Sequence, residues 1–264
     1  MLKEENNKKL FFKYRSVNEH TKVNLKQNQL YFTNPVDFTD PFDSRTDLVY
    51  RGSREDWEYY LIKNGSKRSI DTLIKDKTLK RKGNELILNM NEKKFPHTEV
   101  RCGSDFGEEH FCRVSCFSKT YESILMWSHY ADGHQGICLC FNSESFSDNS
   151  GSYLNIDSEK CGFYEVIYDK EMPKQLNMLF VNEWIKIAKF VTTKHIDWKY
   201  EKEYRIVLPR NSQNEVCIRK FPKENLEAII FGLKIKKKEA NEIFEIVRAN
   251  YIQKGVNGHN SIIQ

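Results

Sequence analysis

Residues 200–209 read YEKEYRIVLP, and this alternation is the tightest constraint the chain places on its own fold. Side chains along a strand repeat every two residues. A strand here therefore sets Glu201, Glu203 and Arg205 on one face and Tyr200, Lys202, Tyr204, Ile206 and Leu208 on the other. The apolar face needs a core to cover it. The polar face holds two neighbouring carboxylates, which repel unless solvent screens them or something uses them.

The rest of the chain supplies partners for such a strand. KLFFKYRS reads as a first strand running into a helix, with Ser16 and Glu19 spaced as a capping box. QLYFTNP is a short second strand, and TNPVDFTDPFD is a turn-rich loop with Phe38 and Phe42 tucked beneath it. FCRVSCFS, GICLCF, GFYEVIYD, EVCIRKF and LEAIIFG carry further strand signals. YESILMWSHYADG reads as a short helix, and PKQLNMLFVNEWIKIAKFV and KKKEANEIFEIVRANY as longer amphipathic ones. From Ser53 to about residue 94 the pattern turns helical and lysine-rich, with Ser53 as a cap and Gly65 just past the first helix. The expectation is one α+β domain over residues 1–264. It has a mixed, partly antiparallel sheet, surrounding helices and a helical insertion at about 53–105.

Composition narrows the function classes. The chain has 42 basic and 37 acidic residues, a net charge of +5, so the two signs nearly cancel and no field typical of a dedicated nucleic-acid binder arises. Apolar runs such as LEAIIFGL are too short to span a bilayer, and MLKEENNKKL lacks the apolar stretch of a signal peptide, so the expected location is cytoplasmic with no membrane partner. Seven cysteines without an export signal read as free thiols. HFCRVSC and CLC raise a zinc question, but paired C-x-x-C knuckles are absent and no metal is expected; in strands these cysteines would face a core as small hydrophobes.

Three segments carry more polar chemistry than a fold requires. In FKYRS, Arg15, with Tyr14 and Ser16 beside it, stands at a strand-to-helix junction where a phosphate can meet a guanidinium and helix N-terminal amides; the alternative is a surface salt bridge. In MWSHYADGHQG, Trp127, Ser128, His129 and Tyr130 form an aromatic and polar group next to two glycines, or else simply pack a helix on the sheet. In DWKYEKEYR, a glutamate beside a second carboxylate and an arginine can act as a base, stabilise positive charge or hold a sugar hydroxyl; a solvated salt-bridge ladder is the alternative. No G-x-S-x-G elbow or catalytic cysteine signature is present, which disfavours a hydrolase triad.

The segments FKYRS, LYFTNPVDFTDPFD, CFSKTYESILMWSHYADGHQGICLCF, WKYEKEYRIV and IIFG together resemble the bacterial family known as domain of unknown function 2971. An early arginine, a middle aromatic and polar segment and a late E-x-E strand are also similar to the layout of ADP-ribosyltransferases. That second resemblance implies NAD as co-substrate and no metal. It assigns Arg15 to the pyrophosphate, Tyr130 and Trp127 to the nicotinamide side with Ser128 and His129, Glu203 to catalysis, and Glu201 to assisting it. Arg205 would keep Glu203 ionised. The middle segment departs from that superfamily's Ser-Thr-Ser pattern, with Trp-Ser-His-Tyr in its place and only Ser128 in common. The implied function is an NAD-consuming transferase or NAD glycohydrolase, acting as a toxin or anti-phage effector. Its acceptor would be a protein, a nucleic acid or water, and a partner protein would restrain or activate it. Two other classes stay open: a non-enzymatic module sensing a nucleotide or protein, and a metal-dependent nuclease built on Asp37, Asp40, Asp43, Glu201 and Glu203.

Overall fold

A computed structural model describes residues 8–40, 43, 47–63, 65–89, 112–148, 150–171, 175–177, 179, 191–209 and 217–251. Its centre is a sheet of eight strands among the described residues: β1 (Leu10–Arg15), β2 (Cys112–Ser118), β3 (Ile137–Asn142), β4 (Glu144–Ser145), β5 (Ser152–Ile156), β6 (Glu159–Glu165), β7 (Glu203–Pro209) and β8 (Leu226–Phe231). They pair in the order β8, β3, β1, β2, β7, β6, β5, β4, and every neighbouring pair is antiparallel. Among the described residues, parallel pairing occurs in two small ladders, Ile167–Asp169 with Thr193–His195 and Gln175–Asn177 with Asp47–Val49. The protein is α+β, as its pattern of elements implied.

Two cores sandwich the sheet. On β3, Ile137, Leu139 and Phe141 join the core beneath one face, while Cys138 and Cys140 join the core over the other, so the whole strand is buried. Each large side chain buried this way contributes about 2–3 kcal/mol, so a one-residue slip of register would exchange the two faces at large cost. Helices α1 (Glu19–Lys26) and α5 (Lys237–Asn250) cover the first face. Ile243, Ile246 and Val247 of α5 stand at the spacing of one helical stripe, and Tyr251 Oη donates to the Leu25 carbonyl at 2.7 Å. Helix α4 (Ile124–Tyr130) covers the second face with Met126 and Trp127.

Several local expectations are corrected. The cap of α1 is Asn18, whose side chain accepts from Thr21 N, while Ser16 Oγ accepts from Asn18 Nδ2. GFYEVIYD is interrupted at Val166, whose N–H turns to the Glu203 carbonyl. Residues 175–177 are strand, and most of the helix expected around them lies outside the described residues, as do Phe42 and Cys102. The insertion is only partly helical. It holds the helices Arg54–Lys63 and Ile70–Lys75 and a hairpin of Leu79–Lys82 with Glu85–Leu88, packed around Trp57 in a separate apolar cluster. Ser53 and Asp56 cap its first helix reciprocally, and Gly65 follows it at φ +67. No helix among the described residues is long and apolar enough to cross a membrane.

Candidate functional site

The site begins where the sheet splits. β1 pairs with β3 along its whole length from Leu10↔Asn142 to Arg15↔Ile137, but with β2 only at Phe12↔Ser118. Beyond that point β1 leaves β2, and the loop after residue 31 takes its place: Thr33 and Val114 exchange backbone hydrogen bonds of 2.8 and 2.9 Å. The gap is a cleft of about 260 Å³, room for on the order of nine waters. β1, β2, the loop carrying Asp37 to Asp43, α4 and the start of β7 all line it.

An ionic cluster forms one wall. Arg205, fully buried, donates through Nε to Glu203 Oε1 at 2.7 Å and through Nη2 to Glu203 Oε2 at 2.9 Å. Its Nη1 and Nη2 also reach Asp43 Oδ1 at 2.9 Å and Oδ2 at 2.5 Å, and its guanidinium lies over the Phe38 ring. Lys194 Nζ donates to Glu201 Oε2 at 2.6 Å and to Glu203 Oε2 at 3.1 Å, and stands 3.4 Å from Asp43 Oδ2. Tyr130 Oη donates to Glu201 Oε1 at 2.6 Å. Three carboxylates thus face two cations in a desolvated setting, an arrangement that survives burial only because each charge is hydrogen-bonded.

The two glutamates do not share a strand. Ile196–Glu201 is a 3-10 helix, Lys202 turns in the left-handed region at φ 46, and β7 starts at Glu203. This turn, anchored by Ser118 Oγ donating to the Glu201 carbonyl at 2.6 Å, lets both carboxylates approach Lys194 from different directions. Their proton affinities diverge. Burial raises the pKa of Glu201, and Glu203 adds to the rise against the opposing charge of Lys194. Burial pushes Glu203 the same way, but the charges of Arg205 and Lys194 outweigh it and hold that carboxyl well below the usual range. Burial, with Glu201 adding to it, raises the Tyr130 phenol, which therefore stays a donor.

At the β1 end of the cleft stand Lys13 and Arg15, on the same face of that strand, with Lys13 close enough to Glu203 to feel its charge. Burial lowers the pKa of the Arg15 side chain, and its guanidinium makes no hydrogen bond or ion pair among the described residues. Lys13 Nζ donates to Ser115 Oγ at 2.9 Å and to the Cys116 carbonyl at 2.8 Å, closing the strand split with a side chain. Gly136 backs this end: a Cβ there would stand 2.2 Å from the Arg15 carbonyl.

Of the residues singled out from the sequence, Tyr14, Arg15, Tyr130, Glu201, Glu203 and Arg205 all line this cleft. Trp127, Ser128, His129 and Ser16 do not. Trp127 is buried behind the wall, its Nε1 donating to the Tyr121 carbonyl and its ring edge-on to Tyr14. Ser128 Oγ bonds the Ile124 carbonyl and His134, and the His129 ring lies outside, between those of Tyr130 and Tyr200. Helical geometry explains the sorting: only one side of α4 can face the cleft. Lys13 and Lys194 were not singled out at all. The only sequence signal for Lys13 is a lysine between aromatics in FFKY; Lys194 has none. Asp37, Asp40 and Asp43 do reach the cleft with the two glutamates, but Asp43 and Glu203 are engaged by Arg205 and Lys194. Among the described residues, no group of three or more acidic, histidine or cysteine side chains could hold a metal ion.

Residues 126–206 match the model of a family described as a protein of unknown function, DUF2971. Over this segment the family resemblance read from the sequence holds. No curated protein and no solved structure matches the chain. The DUF2971 segment contains α4 from Met126 onward, Lys194 and the two glutamates with Arg205, whereas Lys13, Arg15 and Asp43 come from outside it.

Proposed function

We propose that the cleft cleaves the bond between nicotinamide and ribose in NAD and passes ADP-ribose to an acceptor. The observation that carries this reading is the convergence on one cleft of an arginine with no ion pair among the described residues and two carboxylates driven in opposite protonation directions. Opposed carboxylates are how a site divides acid–base work. Glu203, kept ionised by Arg205 and Lys194, which also engage both its oxygens, lends negative charge to this wall of the cleft as positive charge develops on the ribose and nicotinamide leaves as a neutral molecule. Glu201, with its raised affinity, suits acceptance of the proton that the incoming nucleophile loses. Arg15 faces the anionic part of the substrate, and Tyr130 holds Glu201 in place.

The cleft volume sets a limit on this picture. At about 260 Å³ it falls below the usual range for sites that enclose a drug-sized ligand, so the reacting end of the dinucleotide enters and the adenosine end lies outside. The acceptor is a protein, a nucleic acid or water. On this reading the protein acts in the cytoplasm as a toxin or anti-phage effector, held in check by a partner.

Incubating purified protein with NAD and following nicotinamide release by chromatography tests the reaction, while calorimetric titration with NAD tests binding. Release that is lost in Glu203→Gln is the expected result. An absence of both binding and release would end this reading.

A further inference from the structure

Lys13 is a buried ionisable group of the cleft that glycosidic cleavage leaves without a role. Its two hydrogen-bond acceptors, Ser115 Oγ and the Cys116 carbonyl, are both uncharged, and it makes no ion pair among the described residues. A neutral amine carries two N–H bonds. These acceptors take both, Nζ stands 4.9 Å from the centroid of the Phe117 ring, and the lone pair remains on a nitrogen of a side chain that lines the cleft.

The surroundings favour that neutral form. Burial lowers the pKa of Lys13 to about 8, and the charge of Arg15 adds to the fall, while Cys116 and Glu203 act weakly the other way. Near pH 8 its neutral fraction is roughly a hundredfold that of an ordinary lysine. A desolvated lysine beside a second cation is one of the environments in which the amine becomes a nucleophile. Arg15, two residues further on the same strand face, makes no hydrogen bond or ion pair among the described residues and can hold an anionic group.

We propose that Lys13 is a carbonyl-reactive amine, which forms an imine with a small anionic aldehyde anchored by Arg15. The Nζ lone pair attacks the carbonyl carbon, the C=O π pair moves to oxygen, and one proton passes from nitrogen to that oxygen to give a carbinolamine. Loss of the hydroxyl with a second nitrogen-derived proton forms C=N and releases one water, with no change of oxidation state. The cleft is large enough for a triose phosphate. This goes beyond the NAD reading and does not depend on it.

The test uses the full chain, glyceraldehyde 3-phosphate as probe and cyanoborohydride to reduce any imine, followed by intact mass and peptide mapping. Lys13 should be labelled about tenfold faster than any surface lysine, with one fast adduct per chain and a rate that rises through pH 8. Lys13→Arg should remove the fast adduct. Arg15→Met should slow labelling by both aldehydes, because the charge of Arg15 helps keep Lys13 neutral, and should slow the phosphorylated probe about tenfold more than unphosphorylated glyceraldehyde. Mapping on the unaltered protein decides the matter even if a variant fails to fold: an unlabelled Lys13, or one no faster than surface lysines, overturns the proposal. Equal slowing of the two aldehydes in Arg15→Met overturns the anchoring role given to Arg15.

Discussion

Arg205 clamps Glu203 through two parallel hydrogen bonds of 2.7 and 2.9 Å, with the two residues adjacent on one face of β7. The same guanidinium holds Asp43, so a single buried cation ties the late strand to a loop residue that lines the cleft. Replacing Arg205 with Met strands two buried carboxylates. The expected cost is about 3–5 kcal/mol by urea unfolding, and Arg205→Lys recovers only part of it, because an ammonium cannot serve two carboxylates bidentately. A loss under about 1 kcal/mol for the Met variant would mean that water reaches the cluster freely.

The two glutamates separate by variant and by pH. Glu201→Gln keeps an acceptor for Tyr130 and should leave the fold near its original stability while slowing NAD cleavage about a hundredfold or more. Glu203→Gln should cost stability as well. Because the folded pKa of Glu203 is depressed, its stabilisation is present above the ordinary carboxylate value of 4.5 and fades as pH falls towards the folded value. Glu201, being raised, has the opposite sign: its contribution is full below 4.5 and is lost as pH rises through its folded value. Unfolding curves collected from acid to neutral pH should therefore lose their acid limb in Glu203→Gln and keep it in Glu201→Gln.

Side-chain period made Glu203 and Arg205 legible as one face of a strand, and the apolar alternation of their neighbours made the core side legible too. Glu201 was misplaced because the break is made by Lys202 at φ 46, a conformation that tertiary bonds impose and lysine does not advertise. Asp43 and Lys194 are 162 and 11 residues from Arg205, and no local pattern joins them; only the folded loop and the small Thr193–His195 ladder do. Trp127 misled for the reverse reason. Aromatic character is equally consistent with a cleft wall and with the core behind it, and burial alone distinguishes them.

Gly136 gives a test of how the sheet holds Arg15. An added methyl meets the Arg15 carbonyl at 2.2 Å and Ala131 Cα at 2.9 Å, all backbone atoms that cannot swing aside. Gly136→Ala should cost about 1–3 kcal/mol in thermal or urea unfolding and weaken NAD binding through displaced Arg15. Gly162→Ala, where the nearest atom is 3.6 Å away on the Phe146 ring, serves as the control and should stay within about 0.5 kcal/mol. Equal effects at the two sites would show that the contact between Gly136 and β1 is not what fixes Arg15.

Lys13 should leave its own mark on stability. Its pKa falls from 10.5 in an ordinary lysine to about 8, so the folded protein binds fewer protons than the unfolded chain between these values. Stability contributed by the neutral amine is present above 10.5 and is lost as pH falls through 8, which makes Lys13 a net cost at neutral pH of roughly 3 kcal/mol. Lys13→Met removes the charge, keeps most of the volume, and gives up the bonds to Ser115 and Cys116 at about 1 kcal/mol each. The variant should match or exceed the parent near pH 7 and fall behind as pH approaches 10. Urea unfolding of both proteins across that window reads the difference directly. A difference that stays flat with pH would mean the amine is solvated, and with it would go the case for Lys13 as a poised nucleophile.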